Sequence, residues 1–455
     1  MNRFNKIFLS ASMILLISGC SSSHSGFEKY PYKTLNESYP LNSSYNVNKE
    51  WWKGYNDPEL NQYVEIALRN NIDLAQAAIK VNQALYQANL VGSDLTPTFN
   101  GSLGASASKN IKDGSNSNQS FNGSVGVSYE LDLWRKLADA TSAKEWTYQA
   151  TQQDLEEAKL ALINSIVDVY FNLRYLKEIY SITESNLNTY KEIYKITDLK
   201  YKNGAVSNLD VIQAQQAIDN AKNNLNSLAL QINNQEMVMK NLLNYQPKNT
   251  LYFSNKSIMD VKLQGVDLNI PVYAISNRPD LKSKEYALVS SFKDKKSVEK
   301  EMYPSVSISS TLSSSNNKFN NALNIPVGGI SLNISLPFLD WERIKWNNKL
   351  SEENFKSVKL DFEKSITTAL NEIDNYYFTY QNYQNNFNNV QSQYDDAVKI
   401  EKYYKIRYDQ GASQMLDWLN AIQTTNNSKQ SIVEAKYKLL SGENNVYKAM
   451  AGKYR

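Results

Sequence analysis

Side chains suited to covalent or metal chemistry are few here, and they sit together at one end. The chain has 455 residues with one Cys and one His. These are Cys20 and His24, in or beside a Ser-rich stretch near the N-terminus. The rest of the chain therefore has neither thiol nor imidazole. That excludes Ser-His-Asp and Cys-His catalysis and leaves zinc only carboxylate ligands, an unsuitable set. Paired carboxylates of the glycosidase kind remain open.

Cys20 has no disulfide partner, and its surroundings give it another task. Arg3 and Lys6 form a positive start, and Ile7 to Ile17 is apolar. At about eleven residues this stretch is too short for a spanning helix, which needs roughly 20. It ends in Ile17-Ser18-Gly19-Cys20, the form of a bacterial lipid-attachment motif, in which Cys20 is acylated and becomes the first mature residue. Ser21 stands where an Asp would retain such a protein in the inner membrane. An ordinary secretory signal with a chance Cys is the alternative. The expectation is a signal segment 1–19, a lipidated tether 20–50, no metal, and no cofactor beyond the covalent lipid on Cys20. The formal net charge is only +3, so no nucleic-acid footprint is present.

The elements beyond the tether are written twice. At an offset of about 207 residues, Asn71-Ile72-Asp73-Leu74 meets Arg278-Pro279-Asp280-Leu281, and Thr96-Pro97-Thr98 meets Tyr303-Pro304-Ser305. Gly204-Ala205 likewise meets Gly411-Ala412, and Leu209-Asp210 meets Leu416-Asp417. A period this long marks a duplicated, domain-sized unit, not a solenoid repeat. The halves are read as 51–245 and 278–455, with an equatorial link at 246–277 forming a small lateral domain. Each half predicts a helical stretch (roughly 59–95 and 279–302), two strands, a very long helix, a tight turn and a second long helix.

The long helices carry a heptad seam. Counting alternately four and three residues from Leu155 meets Leu162, Ile166, Val169, Leu173, Leu176, Leu187 and Tyr190. The same count from Phe362 meets Ala369, Ile373, Tyr380, Phe387, Val390, Ala397 and Tyr408. A 3.5-residue repeat sustained this long is coiled-coil packing. Each outgoing helix spans some 70 residues without proline, about 100 Å of rod, and its surface is too polar for lipid.

The strand-like runs alternate. Phe121, Val125, Val127, Tyr129 and Leu131 oppose Asn122, Ser124, Ser128 and Glu130, while Phe99 and Leu103 oppose Asn100 and Ser102. In the second half Val306, Ile308 and Leu312 oppose Ser305, Ser307 and Ser309. Ile330, Leu332, Ile334, Leu336 and Phe338 oppose Ser331, Asn333 and Ser335. One apolar and one Ser/Asn face suits either a membrane barrel or a soluble sandwich with one wet face. The lipid-attachment motif favours the barrel. Four strands cannot close a barrel whose smallest form has about eight, so several copies must share one.

The chain resembles the TolC-type outer membrane factor family, in its lipoprotein efflux branch. The marks are Trp51-Trp52, Asp57-Pro58-Glu59-Leu60, Ala67-Leu68 with Asn70, Asn71 and Asp73-Leu74, Tyr129-Glu130-Leu131-Asp132-Leu133-Trp134, Arg278-Pro279-Asp280-Leu281, and the paired Gly turns. The resemblance implies a mainly α fold with a membrane β-barrel portion. Long coiled-coil helices form a periplasmic tunnel, and four strands per chain join a shared trimeric barrel. It implies a homotrimer in outer-membrane lipid, docking with a periplasmic adaptor protein and an inner-membrane pump. The function implied is an exit duct for drugs or other small molecules, with no enzymatic activity.

The tip would be the turns at Gly204 and Gly411, each a Gly suited to ending a helix. Asp210 with Ser207 has the capping-box pattern, and Ser413 is a cap for the last helix. By position, Leu416 matches the family's apolar ring. The family's usual Leu-Asp-Val-Leu-Asp-Ala-Gln stands here as Leu416-Asp417-Trp418-Leu419-Asn420-Ala421-Ile422, with the first Asp kept and the second replaced by Asn420. If that second position faces the pore, the resemblance implies a polar but uncharged ring there. Arg407 and Tyr408 are placed to bond the mouth shut. Asp210 and Asp417 also suit a helix's first turn, where acid offsets the dipole. A structural coiled-coil tether without transport, and a carboxylate-based envelope enzyme, are the competing classes.

Overall fold

The computed structural model describes residues 47–454 apart from 110, 113–117, 255, 268–271 and 322–326. Cys20 and His24 lie outside the described residues.

Asp57 starts the first helix. Its carboxylate accepts from the backbone N–H groups of Glu59 and Leu60, and Pro58 fills the first helical position. Helix α1 (Pro58–Asn70) is followed at once by α2 (Ile72–Gly92). The stretch expected as one helix is thus two. Asn71 is extended (φ −66°, ψ 126°), its side chain accepts from Leu74 N–H at 2.9 Å, and it donates to Leu242 O at 3.0 Å. One residue therefore ends a helix, caps the next, and fastens both to a third.

Strands β2 (Thr98–Ser108) and β3 (Asn118–Leu131) follow, after a two-residue β1 (Val47–Asn48) near the start. The 67-residue α3 (Lys136–Lys202) and α4 (Asn208–Leu243) complete the first half. The second half repeats the order with α5 (Pro279–Glu299), β4 (Ser305–Asn316), β5 (Val327–Ser335), the 69-residue α6 (Trp341–Asp409) and α7 (Met415–Ala449). A short β6 (Lys453–Tyr454) pairs antiparallel with β1 and joins the first and last described elements. Leu336 and Phe338, expected on a strand, lie outside it. Pro337 lacks the ladder N–H and opens a 3-10 turn, Pro337–Asp340.

The strands form one antiparallel sheet in the order β2-β3-β4-β5. Next to it, α3 packs on α2 and α5, and α6 packs on α5. Towards the far ends of the long helices, α3 packs on α4 and α7, and α6 on α7. The seam is visible in burial. Beyond Tyr380, the residues of α6 that are not exposed are Tyr383, Phe387, Val390, Tyr394, Ala397, Glu401, Tyr404 and Tyr408, with Gln391 the only addition. Among the described residues no helix is long and apolar enough to cross a bilayer.

The main core lies midway along α3. Trp51, Leu60, Ile166, Tyr170, Phe171, Leu173, Met239, Leu243 and Ile258 are almost wholly buried there. The described part of the link contributes 3-10 turns at Ile258–Asp260 and Val272–Asn277, and its Leu251, Ile258 and Val261 are buried in this core. A buried Arg174–Asp57 pair and a set of half-buried bonds hold it. Arg174 donates to Asp57 (2.7 Å) and Ser254 (3.2 Å), Ser254 donates to Glu59 (2.8 Å), and Glu178 accepts from Ser257 Oγ (2.7 Å) and Ile258 N–H (2.8 Å).

Candidate functional site: the two-faced sheet and the helical tip

The sheet's register sorts its side chains. Ser102 faces Ser124, Ser128 faces Ser309, Ser307 faces Asn333, and Ser309 faces Ser331. Hydroxyls bond across the strands, Ser102 to Ser124 at 2.8 Å and Ser309 to Ser331 at 2.7 Å. The other face pairs Phe99 with Val127, Tyr129 with Ile308, and Ile308 with Leu332. That face is bare: Phe99 is 80% exposed, Leu103 75% and Ile330 85%. A contiguous apolar surface backed by a hydroxyl surface does not suit water on both sides, and lipid on one side resolves it. The outer sides of β2 and β5 have no partner strand among the described residues.

The sheet is fastened to the helices at its base. Asp132 accepts from Leu137 N–H (3.0 Å) and Ala138 N–H (2.8 Å), starting α3. Trp134 donates to Pro304 O at 2.8 Å and stacks on Tyr303, tying the halves together. Trp341, at the equivalent point of the second half, is exposed with Lys345 over its ring.

At the opposite end lie the two turns. Gly204 and Gly411 both have φ +71°, a left-handed conformation. Ala205 N–H reaches Lys200 O and Ala412 N–H reaches Arg407 O, each at 2.8 Å, the Schellman closure that satisfies a helix's last carbonyls. The Asp210 carboxylate accepts from Ser207 N–H (2.9 Å) and Ser207 Oγ (2.6 Å). At the second turn the cap is Gln414, not Ser413: Gln414 N–H donates to Asp417 at 3.1 Å, and Ser413 Oγ is buried without a partner. Gln414 stands 207 residues after Ser207, so the two turns place their caps at the same point.

The candidate gate residues do not form one cluster. Tyr408 stacks on Trp418 at 5.2 Å and accepts from Lys200 Nζ at 3.0 Å, so the two helical hairpins touch here. Arg407 points elsewhere, donating to Tyr403 OH (3.0 Å) and Ala412 O (2.9 Å), which makes it a C-terminal cap of its own helix. Asp417 is engaged in the cap, Asn420 is exposed, and Leu416 is 39% exposed. Behind them a small core of Leu187, Tyr190, Ile193, Ala214, Ile218, Met415, Leu419 and Ile422 locks the hairpins together.

Two further residues were not singled out from sequence. Lys200 lies at the offset partner position of Arg407, and Trp418 stands where the resembled motif has Val. Either could have been found by asking what sits opposite Tyr408.

The profile of one family, described as outer membrane efflux protein, matches residues 63–244 and 270–452, once in each half. A "toxin and drug export protein A" of Aggregatibacter actinomycetemcomitans is 42% identical over 449 residues, covering 99% of this chain and 98% of its own. The crystal structure of the Campylobacter jejuni CmeC outer membrane channel superposes with a TM-score of 0.81 at 26% identity, covering 94% of each chain. The outer-membrane channel OprN gives the same TM-score at 21% identity, covering 95% of this chain and 98% of its own.

Proposed function

The chain belongs to the outer membrane efflux protein family, and from that premise we infer that three copies close one barrel and one helical tunnel, anchored by acylated Cys20. The protein is an outer-membrane efflux channel that extends into the periplasm. Its cargo passes unchanged, so the fold needs a wall and no catalytic group.

The observation that carries this reading is the open four-stranded sheet. An edge strand in lipid leaves its N–H and C=O groups without partners, at several kcal/mol each. The helices repeat the problem. One side of the protomer presents β2, α2 and α4, and the other presents β5 and α6. Each side leaves apolar side chains exposed, Ile79, Tyr86 and Leu90 on α2 and Leu360 and Phe378 on α6. Joining unlike edges of successive copies makes a heterologous ring, which satisfies every edge when it closes. Three copies give twelve strands, above the minimum of about eight for a membrane barrel.

The turns at Gly204 and Gly411 then form the periplasmic tip, where the adaptor and pump dock. Leu416, Asp417 and Asn420 lie at its mouth, and Tyr408 with Lys200 couples the hairpins that must part for opening. Drug-like molecules are the cargo class, following the export relative at 42% identity.

The test is intracellular accumulation of a fluorescent drug-like efflux substrate in cells with and without this protein. Accumulation should rise without it and return to normal with the intact chain. Equal accumulation in both would remove small organic molecules from the cargo.

A further inference from the structure

The hydroxyl face of the sheet is almost free of charge. Reading across the register, it carries Thr98, Asn100, Ser102 and Ser106 on β2, with Asn122, Ser124, Ser128 and Glu130 on β3. On β4 and β5 it carries Ser305, Ser307, Ser309, Thr311, Ser331 and Asn333. Glu130 is the single charged residue on this face among the described strand residues. It stands at the helix end of β3, where the sheet passes into α3. Its carboxylate is bound by Lys136 Nζ at 2.7 Å, with the two side chains 36% and 30% exposed. Asp132, the other acid between β3 and α3, accepts from the backbone of α3 and keeps its charge, which the exposed Arg135 of the same turn balances.

We propose that Lys136 is a specificity-determining residue of the duct: by neutralising Glu130 it makes the barrel indifferent to the charge of its cargo. The inference rests on the reading of the hydroxyl face as the lumen of a closed barrel. In such a ring every copy repeats the pair, so the junction carries either a ring of neutral pairs or, without Lys136, a ring of bare carboxylates. Like charges around a water-filled constriction bounded by low-dielectric walls raise the local concentration of the opposite ion. A neutral ring leaves serine and asparagine groups, which hydrogen-bond water or solute without preference for sign. Cations, anions and zwitterions of similar size then pass the barrel equally well, and discrimination among them falls to other parts of the assembly.

The test uses a thiol placed beside the pair. Ser128→Cys puts a side chain on the same face as Glu130, two residues away. The only other Cys is Cys20. The rates of modification from the outside by a cationic and an anionic methanethiosulfonate of similar size are compared with their rates on glutathione. In the full-length protein in membranes, the cation-to-anion ratio should match that of glutathione within about twofold. Adding Lys136→Gln should raise the ratio by ~tenfold, and adding Glu130→Gln instead should lower it below that of the glutathione reference. A strong bias already present in Ser128→Cys alone, or one unchanged by either substitution, overturns the proposal while leaving the duct intact. Failure of both reagents to reach the introduced thiol would overturn the barrel reading itself.

Discussion

At the scale of residues, the groups that ionise most unusually are structural. Glu443 is fully buried, accepts from Gly265 N–H at 2.6 Å, and lies among Tyr55, Tyr380, Tyr447 and Lys453. Burial pushes its carboxyl above the ordinary carboxylate value. The folded state therefore holds that proton more tightly than the unfolded chain does. The associated stability is full below the ordinary carboxylate pKa and declines as pH rises through the raised folded value. Glu443→Gln keeps an acceptor for Gly265 and cannot ionise. As pH rises above the ordinary carboxylate value, its thermal midpoint should fall less than that of the wild type. Equal slopes in calorimetry would show that Glu443 does not set this dependence. Asp417 illustrates a second point. Its carboxylate closes the capping box of α7 by accepting from Gln414 N–H, so Asp417→Ala should lose roughly 0.5–2 kcal/mol whatever else the residue does. A role at the mouth requires in addition a higher single-channel conductance, and unchanged conductance would leave the cap as its whole task.

At the scale of elements, two periods divide the work. Period 2 gives each strand a lipid face and a water face, and period 3.5 gives each long helix one buried seam. The strand faces make opposite predictions for neighbouring positions. Ile330→Arg, on the apolar face near mid-strand, should destabilise by roughly 2–4 kcal/mol, whereas Ser331→Arg should cost little. Urea unfolding of the reconstituted protein measures both, and similar losses would contradict the assignment of faces. The same periods made the strands and rods legible in the sequence. What the periods missed were the breaks: Asn71 splitting α1 from α2, Pro337 ending β5 early, and Gln414 replacing Ser413 as the cap. Each is set by which backbone groups remain unpaired, a detail that a periodic pattern averages out.

At the scale of the whole molecule, the protomer is built to be incomplete. Leu360 and Phe378 lie five helical turns apart on the face of α6 opposite its seam, and both are exposed. In the proposed ring they pack against the α2 and α4 edge of a neighbouring copy. Phe378→Asp should lower the trimer fraction seen by native mass spectrometry in detergent while helical content by circular dichroism stays the same. A trimer fraction equal to that of the wild type would place the contact elsewhere. Pairing β1 with β6 adds a closure within the chain, bringing the N-terminal entry and the C-terminal hook to one place beside the main core.

By itself the sequence determined the duplication, the two periods, the turn glycines and the absence of any thiol or imidazole beyond the N-terminal segment. These are local or periodic properties, written in residue types at fixed spacings. Only the tertiary structure decided that Lys200 meets Tyr408 across 208 residues, that Arg174 and Asp57 pair in the core across 117, and that Lys136 sits on Glu130. Contacts of this kind depend on how two helical hairpins and a sheet are placed against each other. That placement is fixed by the summed packing of seams and capped turns, and no single spacing in the chain records it.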